Sequence, residues 1–145
     1  MIKILFVCHG NICRSPMAEF LLKDMVAKRG IASQFDIASA ATSREEIGNP
    51  VHHGTRKKLA QFGISVAGKT ARQMTRRDYE NYDYIICMES MNVRDLMRII
   101  GFDKDKKVNV LMRILCLVFI AISVVLAILN DFYKITAIAY LMGLS

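Results

Sequence analysis

The stretch Ile2-Lys3-Ile4-Leu5-Phe6-Val7-Cys8-His9-Gly10-Asn11-Ile12-Cys13-Arg14-Ser15-Pro16 decides the architecture. It opens on a short run of large apolar and β-branched residues, the pattern of a buried strand. Gly10 and Asn11 break the run, and Ser15-Pro16 reads as an N-cap followed by a first helical residue. Met17, Leu21 and Met25 then repeat on one face as far as Arg29-Gly30, where glycine supplies the stop. Strand, tight loop and helix follow directly on one another, the opening of an alternating α/β chain.

Further along, Phe35-Asp36-Ile37-Ala38-Ser39 reads as a second strand, and a loop rich in Ala, Ser and Thr runs from it to Gly48-Asn49-Pro50. Val51 to Gln61 reads as a helix closed by Gly63, and Tyr84 to Met88 as a third strand. Ser90 to Ile100 is an amphipathic helix stopped by Gly101, and Val108 to Met112 a fourth strand. The expectation is a three-layer α/β fold: a four-stranded parallel sheet with helices on both faces, followed by an atypical apolar C-terminal segment. Residues 1–112 form the α/β domain and 113–145 the apolar tail. Ligands of such sheets bind beyond the carboxyl ends of the strands, which selects the Gly/Asn loop after the first strand.

The net charge is +7, and residues 1–109 hold 18 Lys/Arg against 12 Asp/Glu, scattered along the chain. This balance suits a phosphate-bearing substrate at least as well as nucleic acid, and no nucleic-acid partner is expected. Cys8, Cys13, Cys87 and Cys116 are too sparse for a disulfide framework, and no signal peptide opens the sequence, so a reducing cytoplasm is the expected compartment. Ile114 to Leu129 is a run of sixteen residues without a charge, just under the usual length of a membrane span.

Cys8 closes the first strand and Arg14 stands six positions later at the mouth of the helix. A tight loop between them turns backbone N–H groups inward as an anion nest, so that His9, Gly10, Asn11, Ile12, Cys13 and Arg14 are the expected phosphate-binding residues. The helix terminus adds partial positive charge, and the Arg14 guanidinium offers a planar fork to two phosphate oxygens. The same field favours a Cys8 thiolate, which attacks phosphorus and forms a cysteinyl-phosphate. This chemistry needs no metal and no organic cofactor. His52 and His53 have no Cys or carboxylate at ligand spacing and read as solvated.

From Val7 through Glu19 the sequence resembles the signature of the low-molecular-weight protein-tyrosine phosphatases, Val-Cys-x-Gly-Asn-Ile-Cys-Arg-Ser-Pro-x-Ala-Glu. Ser39 to Ser43, Ile47 to Pro50, Ala71-Arg72-Gln73, Tyr82 to Met88 and Asn92 to Leu96 continue the resemblance to about residue 112. It implies that Cys8 is the nucleophile and Arg14 the phosphate and transition-state clamp. It further implies that Ser15 donates a hydrogen bond to the thiolate and that Asn11 and Ser39 brace the loop. Cys13 would be a redox partner that protects Cys8 as a reversible disulfide; the alternative is a small apolar filler. Cys87 and Cys116 read as core residues. Ile12 stands where the related protein-arginine phosphatases have Thr, which favours phosphotyrosine, in a protein or in a small aryl phosphate, as substrate.

The family's general acid is an Asp followed by Pro and an aromatic pair. No Asp-Pro pair occurs here, and beyond Val110 the one acidic residue is Asp131. Glu45 stands where the family often has an aromatic wall residue, and Lys69 or Gly68 near a position where it often has His. The tail after Met112 admits three readings: an altered reading frame, a membrane anchor over residues 114–129, or a soluble variant in which Asp131 substitutes as acid. Two other functions stay open beside the phosphatase. One is an impaired phosphate-binding or membrane-tethered protein, and the other is a thiol-dependent arsenate reductase, for which Cys87 lacks a nearby partner.

Overall fold

The computed structural model describes residues 1–111 and, beyond them, 113–114, 117–118, 120–126 and 128–129. Two compact units divide the chain, Met1–Leu111 and Met112–Ser145. In the first unit, strands β1 (Ile2–Cys8), β2 (Phe35–Ala41), β3 (Tyr84–Cys87) and β4 (Val108–Val110) alternate with helices α1 (Arg14–Lys28), α2 (His53–Ala60), α3 (Arg76–Asn81) and α4 (Ser90–Ile100). The strands form one sheet in the order β2-β1-β3-β4, all parallel. The chain leaves β1 toward β2 on one side and returns to β3 on the other, so the loop after β1 lies at the switch point where such sheets bind ligands.

Strand alternation sorts the core into two layers. Leu5 and Val7 of β1, Ala40 of β2, and Ile85 and Cys87 of β3 pack with Met74, Tyr79 and Leu96 on the face covered by α3 and α4. Phe6 and Ile37 pack with Val26 of α1 on the other face, joined by Ile4, Ala18, Leu22 and Ile86. Helix α2 packs against α1 through Leu59 and the neighbouring Val51, Ile64 and Val66, which meet Met17 and Phe20.

The strands fall within a few residues of their expected bounds; the helices differ more. Helix α1 starts at Arg14 with Cys13 in the N-cap position, so Ser15 is a helical residue and not the cap. Its sheet-facing stripe is the partly buried Ala18 and Leu22 with the buried Val26, whereas Leu21 and Met25 are exposed. The reason is the loop: Ser15 and Glu19 must face inward to partner it, and that rotation carries Ala18, Leu22 and Val26 onto the sheet. Gly30 ends the helix with φ +69°, a backbone conformation that glycine adopts at little cost.

Helix α2 begins at His53, and His52 caps it by accepting the Gly54 N–H on Nδ1 at 3.2 Å. Helix α3 was not expected from the sequence; its Thr75 and Asp78 form a reciprocal capping box.

Cys116, Asp131 and the stretch 135–144 lie outside the described residues, as do residues 112, 115, 119, 127 and 130. Among the described residues no helix is long and apolar enough to cross a membrane; the expected anchor over residues 114–129 lies partly outside those residues, at 115, 116, 119 and 127.

Candidate active site

Cys8 is the last residue of β1 and is 3 % exposed. The chain after it is tied down from outside. Thr42 N–H donates to Cys8 O at 2.9 Å, Ser43 N–H to His9 O at 3.0 Å, and His52 N–H to Ile12 O at 2.8 Å. These contacts spend the loop's carbonyls. Among the described residues the backbone N–H groups of Gly10, Ile12, Cys13 and Arg14 meet no acceptor, while Asn11 N–H points to Cys8 Sγ at 3.3 Å. With the Cys8, His9 and Ile12 carbonyls satisfied outward and these N–H groups free, the loop has the geometry of an anion nest. A cleft of about 220 Å³ is lined by residues 8–14 together with Glu45 and Glu46. At Gly10 a Cβ would stand 3.1 Å from Glu46 Cγ, a close approach that suits glycine.

Asn11 is 1 % exposed and has φ +56°, a left-handed conformation that is strained for most side chains. Three hydrogen bonds hold it there. Its Nδ2 donates to Ser39 Oγ at 2.7 Å and to Ser15 Oγ at 2.9 Å, and its Oδ1 accepts from Arg72 N–H at 3.2 Å. Arg72 is itself fixed by a two-pronged pair with Asp78, both contacts 2.9 Å. The sequence segment Ala71-Arg72-Gln73 thus reaches the loop through its backbone, and the Thr75–Asp78 box positions it.

Ser39 is fully buried and donates to Glu19 Oε2 at 2.5 Å. Glu19 is 3 % exposed and sits between two cations, Lys23 Nζ at 2.6 Å and Lys69 Nζ at 3.0 Å. Burial pushes the Glu19 carboxyl up, but the hydrogen bonds from Lys23 and Ser39 and the Lys69 charge outweigh it and hold the carboxyl below its ordinary range.

The carboxylate and the Asn11 amide, whose Oδ1 takes the Arg72 N–H, together orient the chain. Ser39 gives its proton to Glu19 and therefore accepts from Asn11. Asn11 spends its second amide proton on Ser15, whose O–H is then left two acceptors, Cys8 Sγ at the closer 3.0 Å and Ala40 O at 3.5 Å. The end of the chain is a buried donor aimed at sulfur, an arrangement that stabilises negative charge there.

Arg14 opens α1 beside the cleft, with Nη1 2.6 Å from Glu89 Oε1 in the turn after β3. The two side chains are each about half exposed, 48 % and 45 %. His9 Nε2 lies 3.2 Å from Glu45 Oε2. Cys13 is exposed, which argues against a packing filler, and its Sγ accepts from Thr55 Oγ1 at 3.1 Å. Cys87 is fully buried, and burial together with the nearby Cys8 pushes its thiol up to about 12. It offers no second redox centre. No group of three or more His, Cys, Asp or Glu suited to a metal occurs among the described residues.

Glu19, Lys69 and Glu89 were not marked as partners in the sequence. Glu19 could have been found, because it lies four residues after Ser15 and hence on the same helical face. Lys69 and Glu89 carry no local signal; only the fold brings them to the loop.

The parallel sheet carries a Cys-x5-Arg loop, with the cysteine at the end of its first strand, free N–H groups after it and the arginine at a helix start. The comparisons with known proteins agree. The description "Low molecular weight phosphotyrosine protein phosphatase" covers the family that matches residues 3–115. The low molecular weight protein-tyrosine-phosphatase YfkJ of Bacillus subtilis is 43% identical over 109 residues, 75% of this chain and 70% of that one. Its crystal structure superposes with a TM-score of 0.75, covering 78% of this chain and 71% of that one at 42% identity. The Homo sapiens low molecular weight phosphotyrosine protein phosphatase is 44% identical over 95 residues, 66% of this chain and 60% of that one. SP-PTP of Streptococcus pyogenes gives a TM-score of 0.70 at 42% identity, over 76% of this chain and 71% of that one. The chain belongs to the low-molecular-weight phosphotyrosine protein phosphatase family. The matched stretch spans between 60% and 70% of the two curated relatives' own lengths.

Proposed function

We propose that the protein hydrolyses phosphotyrosine monoesters through a cysteinyl-phosphate on Cys8. The observation that carries the reading is the directed hydrogen-bond chain from Glu19 through Ser39, Asn11 and Ser15, ending 3.0 Å from Cys8 Sγ. In the first step the Cys8 thiolate attacks phosphorus; the S–P bond forms as the bond to the aryl oxygen breaks, and the phenolate departs, taking a proton from the proposed acid Asp131 or, when it is a good leaving group, from solvent water afterwards. In the second step water attacks phosphorus, the S–P bond breaks, and inorganic phosphate leaves with Cys8 again a thiolate. The N–H groups of the loop and the Arg14 guanidinium hold the three non-bridging oxygens in both steps.

The phosphotyrosine-specific assignment rests on Ile12 and on the family. Family members protonate the leaving phenolate with the Asp of an Asp-Pro pair, which this sequence lacks. Turnover therefore depends on the leaving group, and the loss of such an acid costs roughly 10²–10⁴-fold for poor ones. Asp131 is the one acidic residue beyond Val110 and is the proposed substitute. Cys13 acts as the redox guard of Cys8, and unpaired thiols suit a reducing compartment such as the cytoplasm.

The test is hydrolysis of p-nitrophenyl phosphate by the full chain, beside Cys8→Ser and Asp131→Asn, since nitrophenolate needs little help from an acid. Activity on p-nitrophenyl phosphate lost in Cys8→Ser supports the cysteine mechanism, and an Asp131→Asn chain that keeps this activity but loses turnover of phosphotyrosine, a poorer leaving group, assigns Asp131 the acid's role. Activity retained in Cys8→Ser rejects the proposal.

A further inference from the structure

We propose that Thr55 is a positioning residue for the redox guard of the cradle: its hydroxyl stabilises negative charge on Cys13 Sγ and keeps that sulfur ready to close on an oxidised Cys8. The inference rests on the reading of Cys13 as the guard of Cys8, and it names the residue that arms the guard. Thr55 stands in the first turn of α2, 42 positions from Cys13 in sequence. It is 2 % exposed, and its Oγ1 donates to Cys13 Sγ at 3.1 Å. Among the described residues that sulfur is the hydroxyl's only hydrogen-bond partner, so a buried O–H spends its single proton on an exposed thiol.

Backbone contacts fix the alignment. Cys13 is the N-cap of α1, and its carbonyl accepts from Met17 N–H at 3.1 Å. His52 is the N-cap of α2, and its N–H donates to Ile12 O at 2.8 Å, which clamps the start of α2 to the residue before Cys13. Sulfur and hydroxyl therefore meet across two helix starts that are tied together. A threonine on a helix can turn its hydroxyl back to a carbonyl of the preceding turn. Here it points to the sulfur instead.

A hydrogen bond to sulfur is stronger when the sulfur is charged, so the Thr55 donor stabilises the thiolate, the form that attacks. A peroxide oxidises the Cys8 thiolate to a sulfenic acid and is itself reduced to hydroxide. The Cys13 thiolate then attacks the Cys8 sulfur; the S–S bond forms, the S–O bond breaks, and the oxygen leaves as hydroxide. The titratable and charged neighbours of Cys13 are Cys8, His9, Arg14, Glu45 and Glu46, which share its cleft, and His52 and His53 at the start of α2. Replacing Thr55 alters none of them.

The experiment follows iodoacetamide alkylation of Cys13 by peptide mass mapping in the full Cys8→Ser chain, with Thr55 intact or as Thr55→Val, Thr55→Ala or Thr55→Ser. The two hydroxyl-free variants are expected to react about threefold more slowly at pH 7, because about tenfold less thiolate is offset about threefold by its greater nucleophilicity without the donor. At pH 10, above the ordinary range of thiols, they should be no slower, and Thr55→Ser should match the parent at both pH values. Equal rates at pH 7 overturn the inference. So does an equal loss at both pH values, since a change of packing or access slows the reaction at every pH. Thermal melting, and p-nitrophenyl phosphate hydrolysis by Thr55→Val with Cys8 present, report that fold and cradle are intact. In that chain the disulfide formed after a pulse of hydrogen peroxide should close about threefold more slowly at pH 7 than in wild type. Closure at the wild-type rate also overturns the inference. A wild type that forms no such disulfide loses the guard reading, and the alkylation contrast alone then decides whether Thr55 acts on the sulfur.

Discussion

Ser39 Oγ stands 2.5 Å from Glu19 Oε2, and that contact takes the Ser39 proton and anchors the hydrogen-bond chain that runs through Asn11 and Ser15 to Cys8. Asn11 Nδ2 has only protons to give, because Asn11 Oδ1 accepts from Arg72 N–H, so Ser39 accepts from Asn11 while passing its own proton to Glu19. Ser39→Ala leaves an amide proton of buried Asn11 without a partner. The variant is expected to lose about 1–3 kcal/mol of stability. Turnover of p-nitrophenyl phosphate falls by about tenfold, the equivalent of roughly 1.4 kcal/mol withdrawn from charge on the cysteine. Urea denaturation and steady-state kinetics measure the two effects separately.

Glu19→Gln removes the anion between Lys23 and Lys69, and Lys69 is only 14 % exposed. A cation left so buried without its carboxylate costs about 3 kcal/mol. The pH dependence has a definite sign. The Glu19 carboxyl is held below its ordinary value of 4.5 in the folded protein, so its contribution is fully present above that value and is lost as pH falls through the lower folded one. Wild-type stability should therefore drop more steeply than that of Glu19→Gln on acidification below about pH 4.5, as denaturant midpoints at a series of pH values will record.

Glu89 holds Arg14 from the side at 2.6 Å, with both side chains half exposed. An exposed pair of this kind contributes only about 0–1 kcal/mol to folding, so Glu89→Gln should melt close to wild type. Its effect belongs to catalysis. Released from its brace, the guanidinium meets the phosphate in fewer productive orientations, and kcat/KM for p-nitrophenyl phosphate is expected to fall by about tenfold.

The cysteines separate by surroundings. Cys87, fully buried and pushed up to about 12, should resist iodoacetamide at pH 8 while Cys13 is alkylated, as peptide mass mapping would show. If Cys13 guards Cys8 as proposed, hydrogen peroxide is expected to oxidise Cys8 to a sulfenic acid, from which the Cys13 thiol displaces water to give a disulfide, whereas in Cys13→Ser oxidation runs on to the irreversible sulfinic acid. Dithiothreitol should restore activity to oxidised wild type but not to oxidised Cys13→Ser.

Legibility in the sequence followed the range of the interactions. The strands were readable because their burial on both faces is written as continuous apolar runs, Ile4 to Val7 and Tyr84 to Met88. The cradle was readable because Cys8, Gly10, Asn11 and Arg14 lie within one turn of chain. The start of α1 was misplaced because Ser15-Pro16 carries the local signature of a cap, while the loop's own geometry brings Arg14 into the helix. The buried stripe of α1 was shifted by one position because Ser15 and Glu19 face inward for polar reasons that hydrophobic periodicity does not register. Helix α3 is short, and its Thr75-x-x-Asp78 signal is easily passed over without an apolar run behind it. Lys69 meets Glu19 across fifty positions of sequence, and only the parallel crossover brings them together.

The central claim is a phosphoryl group carried by Cys8. Mixing the full chain with excess p-nitrophenyl phosphate, quenching in acid within the first turnovers and mapping the digested protein by mass spectrometry tests it most directly. The account predicts one phosphoryl group on the peptide that contains Cys8, absent from Cys8→Ser. Nitrophenol release with no phosphoryl group on Cys8, or with the group on another residue, would contradict it.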